Sequence, residues 1–172
     1  MLPRLTPRRR LCMVARMPPP FRSRREAYME LALAEAGEAA LRDEVPVGAV
    51  VVDAATGEVL AAAGNRTEEL TDATAHAEML ALREAAKAFG GARLFGCDLY
   101  VTLEPCPMCA GAIALARIRR LYYGAADPKG GGVDHGPRIF DQPTCHHRPE
   151  VYGGIDERRA AALLRDFFAA KR

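Results

Sequence analysis

Leu103-Glu104-Pro105-Cys106-Pro107-Met108-Cys109 is the stretch whose reading decides the fold. Ahead of it, residues 98–103 are rich in β-formers (Leu99, Tyr100, Val101, Thr102), and behind it residues 110–116 are rich in helix formers. The order is therefore strand, turn, helix, with Pro105 stopping the strand. Cys106 and Cys109 fall one turn apart in the first turn of the helix, where unpaired N–H groups and the helix dipole favour thiolate over thiol. Such a pair suits a metal, although Cys-x-x-Cys alone is equally a redox dithiol, half of a zinc ribbon, or chance. A ribbon needs a second such pair, and the five cysteines (Cys12, Cys97, Cys106, Cys109, Cys145) do not supply one.

A third ligand must then come from the four histidines. His76 is the candidate, in Thr74-Ala75-His76-Ala77-Glu78, at the start of another helical run with an acid two residues on. His-x-Glu followed by Pro-Cys-x-x-Cys is the signature of zinc nucleobase deaminases. Three protein ligands leave the fourth tetrahedral position of Zn²⁺ open for water, as in a catalytic rather than a structural site, and bound zinc brings that water's pKa to roughly 7. Glu78 is then not a ligand but the proton carrier, taking a proton from water and delivering protons to the ring nitrogen and the leaving amine.

The length of 172 residues predicts one domain over residues 23–172, able to bury about two-thirds of its unfolded surface without disulfides. With two cysteines given to the metal, the odd remainder offers no paired framework, which points to a reducing, cytoplasmic compartment. No apolar stretch approaches the roughly 18 residues of a membrane span. The formal charge of +2 hides an asymmetry: residues 1–25 hold eight arginines and no acid, which leaves the rest of the chain at about −6. Any nucleic-acid contact by the body must come from a local basic patch rather than an overall field.

Residues 1–22 carry prolines and arginines with no usable periodicity, and they read as a disordered basic extension. Three explanations compete: an upstream start, with Met13 or Met17 the true one; a basic arm that binds RNA; or an organellar transit peptide. Ser23-Arg24-Arg25-Glu26 fits a capping box, followed by Met29, Ala32, Leu33, Ala36 and Ala40 on one helical face. Residues 45–53 form a near-continuous apolar strand, and Thr56-Gly57 turns it into a second strand at 59–64. Thr74 is the expected N-cap of a helix running to about Phe89, buried through Ala77, Leu80, Ala81, Ala85 and Ala88 and stopped by Gly90-Gly91. Residues 119–125 read as a fourth strand. The Gly-rich turn 127–132 after it lacks the Gly-Lys-Ser/Thr ending of a phosphate-binding loop. A short extended piece at 150–152 precedes an amphipathic helix over 156–171 with Ala160, Leu163, Leu164, Phe167 and Phe168 on one side. Alternating helices and strands argue a sheet covered by helices.

Residues 23–171 resemble the bacterial tRNA-specific adenosine deaminase family of the cytidine deaminase superfamily. The blocks that carry the likeness are Glu44-Val45-Pro46-Val47-Gly48-Ala49-Val50, Asn65-Arg66, Thr74-Ala75-His76-Ala77-Glu78, Leu103-Glu104-Pro105-Cys106-Pro107-Met108-Cys109-Ala110-Gly111-Ala112, Gly124-Ala125-Ala126-Asp127-Pro128-Lys129 and Leu163-Leu164-Arg165-Asp166-Phe167-Phe168. The zinc signature identifies only the superfamily; the last two blocks point to the tRNA branch. The resemblance implies an α/β fold, a three-layer α/β/α sandwich with a mainly five-stranded mixed sheet, and a homodimer without an organic cofactor. It also implies conversion of adenosine to inosine at the wobble position of a tRNA anticodon, by attack of zinc-activated water on C6. By the same likeness His76, Cys106 and Cys109 hold Zn²⁺ and Glu78 is the general acid/base. Asn65 and the backbone beside Ala77 contact the flipped base. Ala73 departs from the family pattern, which has proline there, and the Arg-rich N-terminal stretch has no family counterpart.

Other candidates keep more than one reading or have no clear partner. His146-His147-Arg148 is either a second metal cluster, a solvated turn, or an RNA-facing edge where His147 meets bases or phosphates. Asp127 and Lys129 either line an RNA channel in the family manner or shape a turn. Glu104 is expected to satisfy backbone donors at the cysteine helix, and His135 has no partner that sequence can show. The rival activity is deamination of a free base, guanine or cytosine, by the same zinc and Glu78; a tRNA enzyme would need an open, basic approach. A non-catalytic zinc-stabilised RNA-binding module is the other rival, and it gives Glu78 nothing to do.

Overall fold

The computed structural model describes residues 24–172. The expectations placed on residues 1–22, and the capping role given to Ser23, lie outside the described residues. Five strands, β1 (Gly48–Asp53), β2 (Val59–Gly64), β3 (Cys97–Leu103), β4 (Arg120–Ala125) and β5 (Glu150–Tyr152), form one mixed sheet in the order β2-β1-β3-β4-β5. β1 runs antiparallel to β2 and β3, whereas β3, β4 and β5 are parallel neighbours. Helices α1 (Arg24–Leu41) and α4 (Glu157–Ala170) cover one face; α2 (Ala77–Phe89) and α3 (Pro107–Leu115) cover the other. This is the expected three-layer sandwich.

The central strands are largely apolar, with Asp53, Asp98 and Arg120 at their ends, because both of their faces are covered. Ala49 and Val51 of β1, Leu99 and Val101 of β3, and Leu121 and Tyr123 of β4 point into the core under α2 and α3. Their alternates Val50, Val52, Tyr100 and Tyr122 point under α1 and α4. On that second face Tyr28, Tyr100, Tyr122 and Tyr152 make a continuous run of ring contacts, with neighbouring centroids 4.5 to 5.2 Å apart. Helix α1 rides directly on the backbone of β1: a Cβ at Gly48 would stand 2.0 Å from the Ala32 carbonyl oxygen.

Several local expectations shift. The first strand begins at Gly48 rather than at Val45, since Val47 donates its N–H back to the Val45 carbonyl in a turn. The buried stripe of α1 ends on Ala39 instead of Ala40. Thr74 is not the N-cap of α2: Asp72 Oδ1 takes both its N–H and its hydroxyl, and His76 occupies the cap position. Leu82 and Glu78 are buried on α2 where Leu80 and Ala88 were expected. Only Ala160 is buried on α4, and Phe168 stays 48% exposed, because the helix packs on β4 and β3 while its end lies beside the loop residues 42–45 and 67–69. Among the described residues no helix is long and apolar enough to cross a membrane.

Candidate active site

Strand β3 ends at Leu103, and Pro105 and Pro107 bracket Cys106, so Cys106 takes the N-cap of α3 with Pro107 at the first helical position. His76 is the N-cap of α2. The two helix N-termini converge. Nδ1 of His76 lies 3.7 Å from Sγ of Cys106 and 3.5 Å from Sγ of Cys109, and the three ligand atoms fall within 4.8 Å of one another. Tetrahedral zinc, with bonds of about 2.3 Å to sulfur and 2.0–2.1 Å to nitrogen, requires S···N separations of about 3.5–3.6 Å. The donor set and its spacing fit that ion. Cys106 is drawn down to about 4, first by its hydrogen bond with Cys109 and then by the one with His76, in keeping with a thiolate ligand. Cys109 is pushed up by the same hydrogen bond with Cys106 and by burial.

Glu78 stands in the first turn of α2, 4% exposed. Burial pushes its carboxyl up to about 7; the negative charge on Cys106 adds to this, while its own backbone N–H and the His76 charge pull the other way. With His76, Cys106 and Asn65 it lines a pocket of about 250 Å³. Asn65 is 7% exposed, and its Oδ1 accepts the Ala77 N–H at 2.8 Å, which leaves its amide nitrogen as the donor end. The Ala77 N–H is thereby already engaged.

Two buried carboxylates build the pocket walls. Glu44, 1% exposed in the turn after α1, accepts the N–H groups of Glu68 at 3.0 Å and Glu69 at 2.9 Å and the Thr67 hydroxyl at 3.1 Å. It fixes the segment that follows Asn65. Glu104 serves backbone donors, but those of the 127–135 loop rather than of the cysteine helix, and His135 is its partner at 2.7 Å. Sequence reasoning gave Glu44 no role and placed the donors of Glu104 at the cysteine helix. Their partners are mainly backbone amides far along the chain, which leave no side-chain signature.

Asp127 lines the pocket and also shapes its own turn, its Oδ1 accepting the N–H groups of Lys129 and Gly130. The structure does not bring His147 to this pocket. Its Nε2 meets the Ile118 carbonyl at 2.6 Å in a separate, mostly apolar depression beside α3, with Leu115, Cys145 and His146. Among the described residues His76, Cys106 and Cys109 form the one cluster with metal-holding geometry, so His146 and His147 make no second centre.

Residues 22–125 match the cytidine and deoxycytidylate deaminase zinc-binding region. The chain is 62% identical over 148 residues to the tRNA-specific adenosine deaminase of Agrobacterium fabrum, covering 86% of this chain and 96% of that protein. A solved structure from studies of A-to-I editing by tRNA:A34 deaminases at the wobble position of transfer RNA superposes with a TM-score of 0.78 at 62% identity, over 80% of this chain and 99% of that one. A guanine deaminase from Nitrosomonas europaea superposes with a TM-score of 0.73 but at 27% identity, over 84% of each chain. By its zinc-binding region and its likeness along nearly the whole of these relatives, the chain belongs to the tRNA-specific adenosine deaminase family of the cytidine deaminase superfamily.

Proposed function

We propose that this protein hydrolytically deaminates adenosine to inosine at the wobble position of a tRNA anticodon. The observation that carries the chemistry is the 3.5 and 3.7 Å spacing of His76 Nδ1 from the two cysteine sulfurs beside the buried carboxyl of Glu78. Zinc held by His76, Cys106 and Cys109 would supply hydroxide at neutral pH by lowering the pKa of water to roughly 7. Glu78 takes one proton from the attacking water and delivers it to the ring nitrogen beside C6, then takes the second from the hydroxyl added at C6 and delivers it to the departing amine, which leaves as ammonia. Asn65 presents its amide nitrogen to the base. Its bond to the Ala77 N–H keeps that amide aimed, so Ala77 acts through Asn65 more than by direct contact. Asp127 borders the mouth and meets the nucleotide there. No organic cofactor is needed, since hydrolysis consumes only water.

The tRNA reading draws on the 62% identity to the Agrobacterium fabrum protein, against 27% to the guanine deaminase. A groove of about 720 Å³ adjoins the pocket through Val45 and Thr67 and continues to Phe167 and Phe168. It carries Asp43, Glu44, Glu68 and Glu69 against Arg42 and Lys171, so it is net acidic and is not the basic approach expected for RNA. His147 lies away from this groove, and a part in RNA binding would place it at a second, more distant contact. We propose a cytoplasmic location, which a tRNA substrate supports. We also propose a homodimer, supported by the outer face of α3, where Leu115 is 76% and Met108 36% exposed; sedimentation of the purified protein tests it.

The deciding experiment is inosine formation by the zinc-loaded protein on an anticodon stem-loop with adenosine at the wobble position, beside free guanine and free cytosine. Inosine at that position alone is expected. Ammonia from a free base, with the stem-loop untouched, would keep the zinc chemistry and overturn the substrate.

A further inference from the structure

We propose that Glu104 is a positioning residue for the reaction: its carboxylate folds the 127–135 segment onto the Cys106 end of α3 and thereby sets Asp127 at the pocket mouth. The inference rests on the deaminase reading above. Glu104 is 2% exposed and sits between the end of β3 and the Cys106 cap. Oε1 accepts the N–H groups of Asp134 at 2.9 Å, His135 at 3.0 Å and Val133 at 3.3 Å. Oε2 accepts the N–H of Asp127 at 2.9 Å and meets His135 Nδ1 at 2.7 Å. One side chain thus joins both ends of the segment, which is further pinned where the Tyr123 hydroxyl donates to Asp134.

The segment is also pressed against the metal-facing turn. Gly132 donates its N–H to the Pro105 carbonyl at 2.8 Å, and a Cβ on Gly132 would stand 2.6 Å from the Pro107 nitrogen. A Cβ on Gly131 would stand 2.5 Å from Glu104 Oε1. The Glu104 carboxylate, the Cys106 turn and the Asp127 turn therefore move together.

The backbone groups that face this carboxylate are all donors, and a carboxylate, with no hydrogen of its own, meets all of them. Glutamine of the same shape cannot. Its oxygen is held to the Oε1 side by three backbone N–H groups, and its NH₂ then faces the Asp127 N–H. His135 can meet that NH₂ by changing tautomer, but the Asp127 amide cannot. Glu104→Gln therefore releases Asp127 selectively and leaves most of the loop tied down.

The test compares wild type, Glu104→Gln, Asp127→Ala and the double variant on the anticodon stem-loop, with zinc content and Tm measured on each. Loss of one charge-assisted hydrogen bond predicts a rise in KM of about tenfold for Glu104→Gln, with kcat within about threefold of wild type. Zinc content is expected to stay that of wild type. In the Asp127→Ala background the same change should add less than about twofold, because both act through one contact. Equal KM values for Glu104→Gln and an active wild type, or full additivity with Asp127→Ala, would overturn the inference alone. A wild type inert on the stem-loop would overturn the substrate reading itself. If Glu104→Gln does not fold, amide exchange on the wild-type chain reads the same contact. Asp127 and residues 133–135 should slow together when the stem-loop binds, and no change on binding would overturn the inference.

Discussion

The side-chain oxygen of Asn65 accepts the backbone N–H of Ala77 at 2.8 Å, tying the loop after β2 to the first turn of α2 between His76 and Glu78. Asn65 is held from both sides, since its backbone N–H reaches the Val47 carbonyl at 3.0 Å and its carbonyl accepts from Arg42 at 3.3 Å. Asn65→Ala removes the base-facing amide and leaves the buried Ala77 N–H unpaired. The unpaired donor costs about 1–3 kcal/mol of stability, and loss of the hydrogen bond to the base, of similar size, should lower kcat/KM by about 5- to 150-fold while zinc content stays that of wild type. Steady-state kinetics on the stem-loop with parallel metal analysis decides this; an unchanged kcat/KM would remove Asn65 from the site.

Glu78→Gln keeps the shape of the buried side chain and removes its ability to take up a proton. General acid–base groups contribute roughly 10² to 10⁴ in rate, and turnover should fall by that factor with zinc still bound. Glu78 accompanies the metal triad in the pocket without being one of its three members. A variant that turns over normally would leave the proposed reaction without its proton carrier.

Cys106→Ala and treatment with a chelator should each abolish activity, and both should loosen the join between α2 and α3. Zinc in hundredfold excess over its dissociation constant stabilises by about 2.7 kcal/mol, which for a domain of this size is roughly 5 to 10 °C in Tm. Differential scanning calorimetry of the metal-free and reloaded protein is the check. Retention of full activity after exhaustive chelation would exclude the metal from the chemistry.

The layers of the fold could be read from the chain because β1 and β3 are apolar on both faces and the proline-bracketed cysteines mark an abrupt strand-to-helix change. The meeting of His76 with Cys106 and Cys109 was readable for a similar reason, since short motifs fix residue types that only one chemistry requires. Sequence failed where the partner is a backbone amide. Glu104 reaches donors 23 to 31 residues away, and nothing in its neighbours' identities announces that. It failed again at Thr74, whose own N–H and hydroxyl both donate to Asp72, so that the cap position falls to His76. In α4 the apolar spacing was real, but the periodicity of a helix says which residues share a face and not what covers it. Phe167 and Phe168 overhang the groove beside the pocket instead of entering the core.

Glu44 makes the fold's grip on the Asn65 wall dependent on pH. Burial alone would raise its pKa, but the N–H groups of Glu69 and Glu68 and the Thr67 hydroxyl outweigh it and hold the carboxyl below its ordinary 4.5. A carboxylate lowered on folding adds stability that is fully present above the unfolded value and is lost as pH falls through the folded one. The wall should therefore be tight at pH 6 to 8 and loosen below about pH 4, as the unfolded chain comes to bind the extra proton. Glu44→Gln removes this titration and leaves a side chain whose NH₂ faces one of its donors. The variant should be less stable at neutral pH by about 1–3 kcal/mol, and that gap should narrow as the wild type is acidified. Urea unfolding of both proteins at pH 7, 5 and 3.5 measures the gap, and a gap that is constant across the three would show that Glu44 does not hold the wall through its charge.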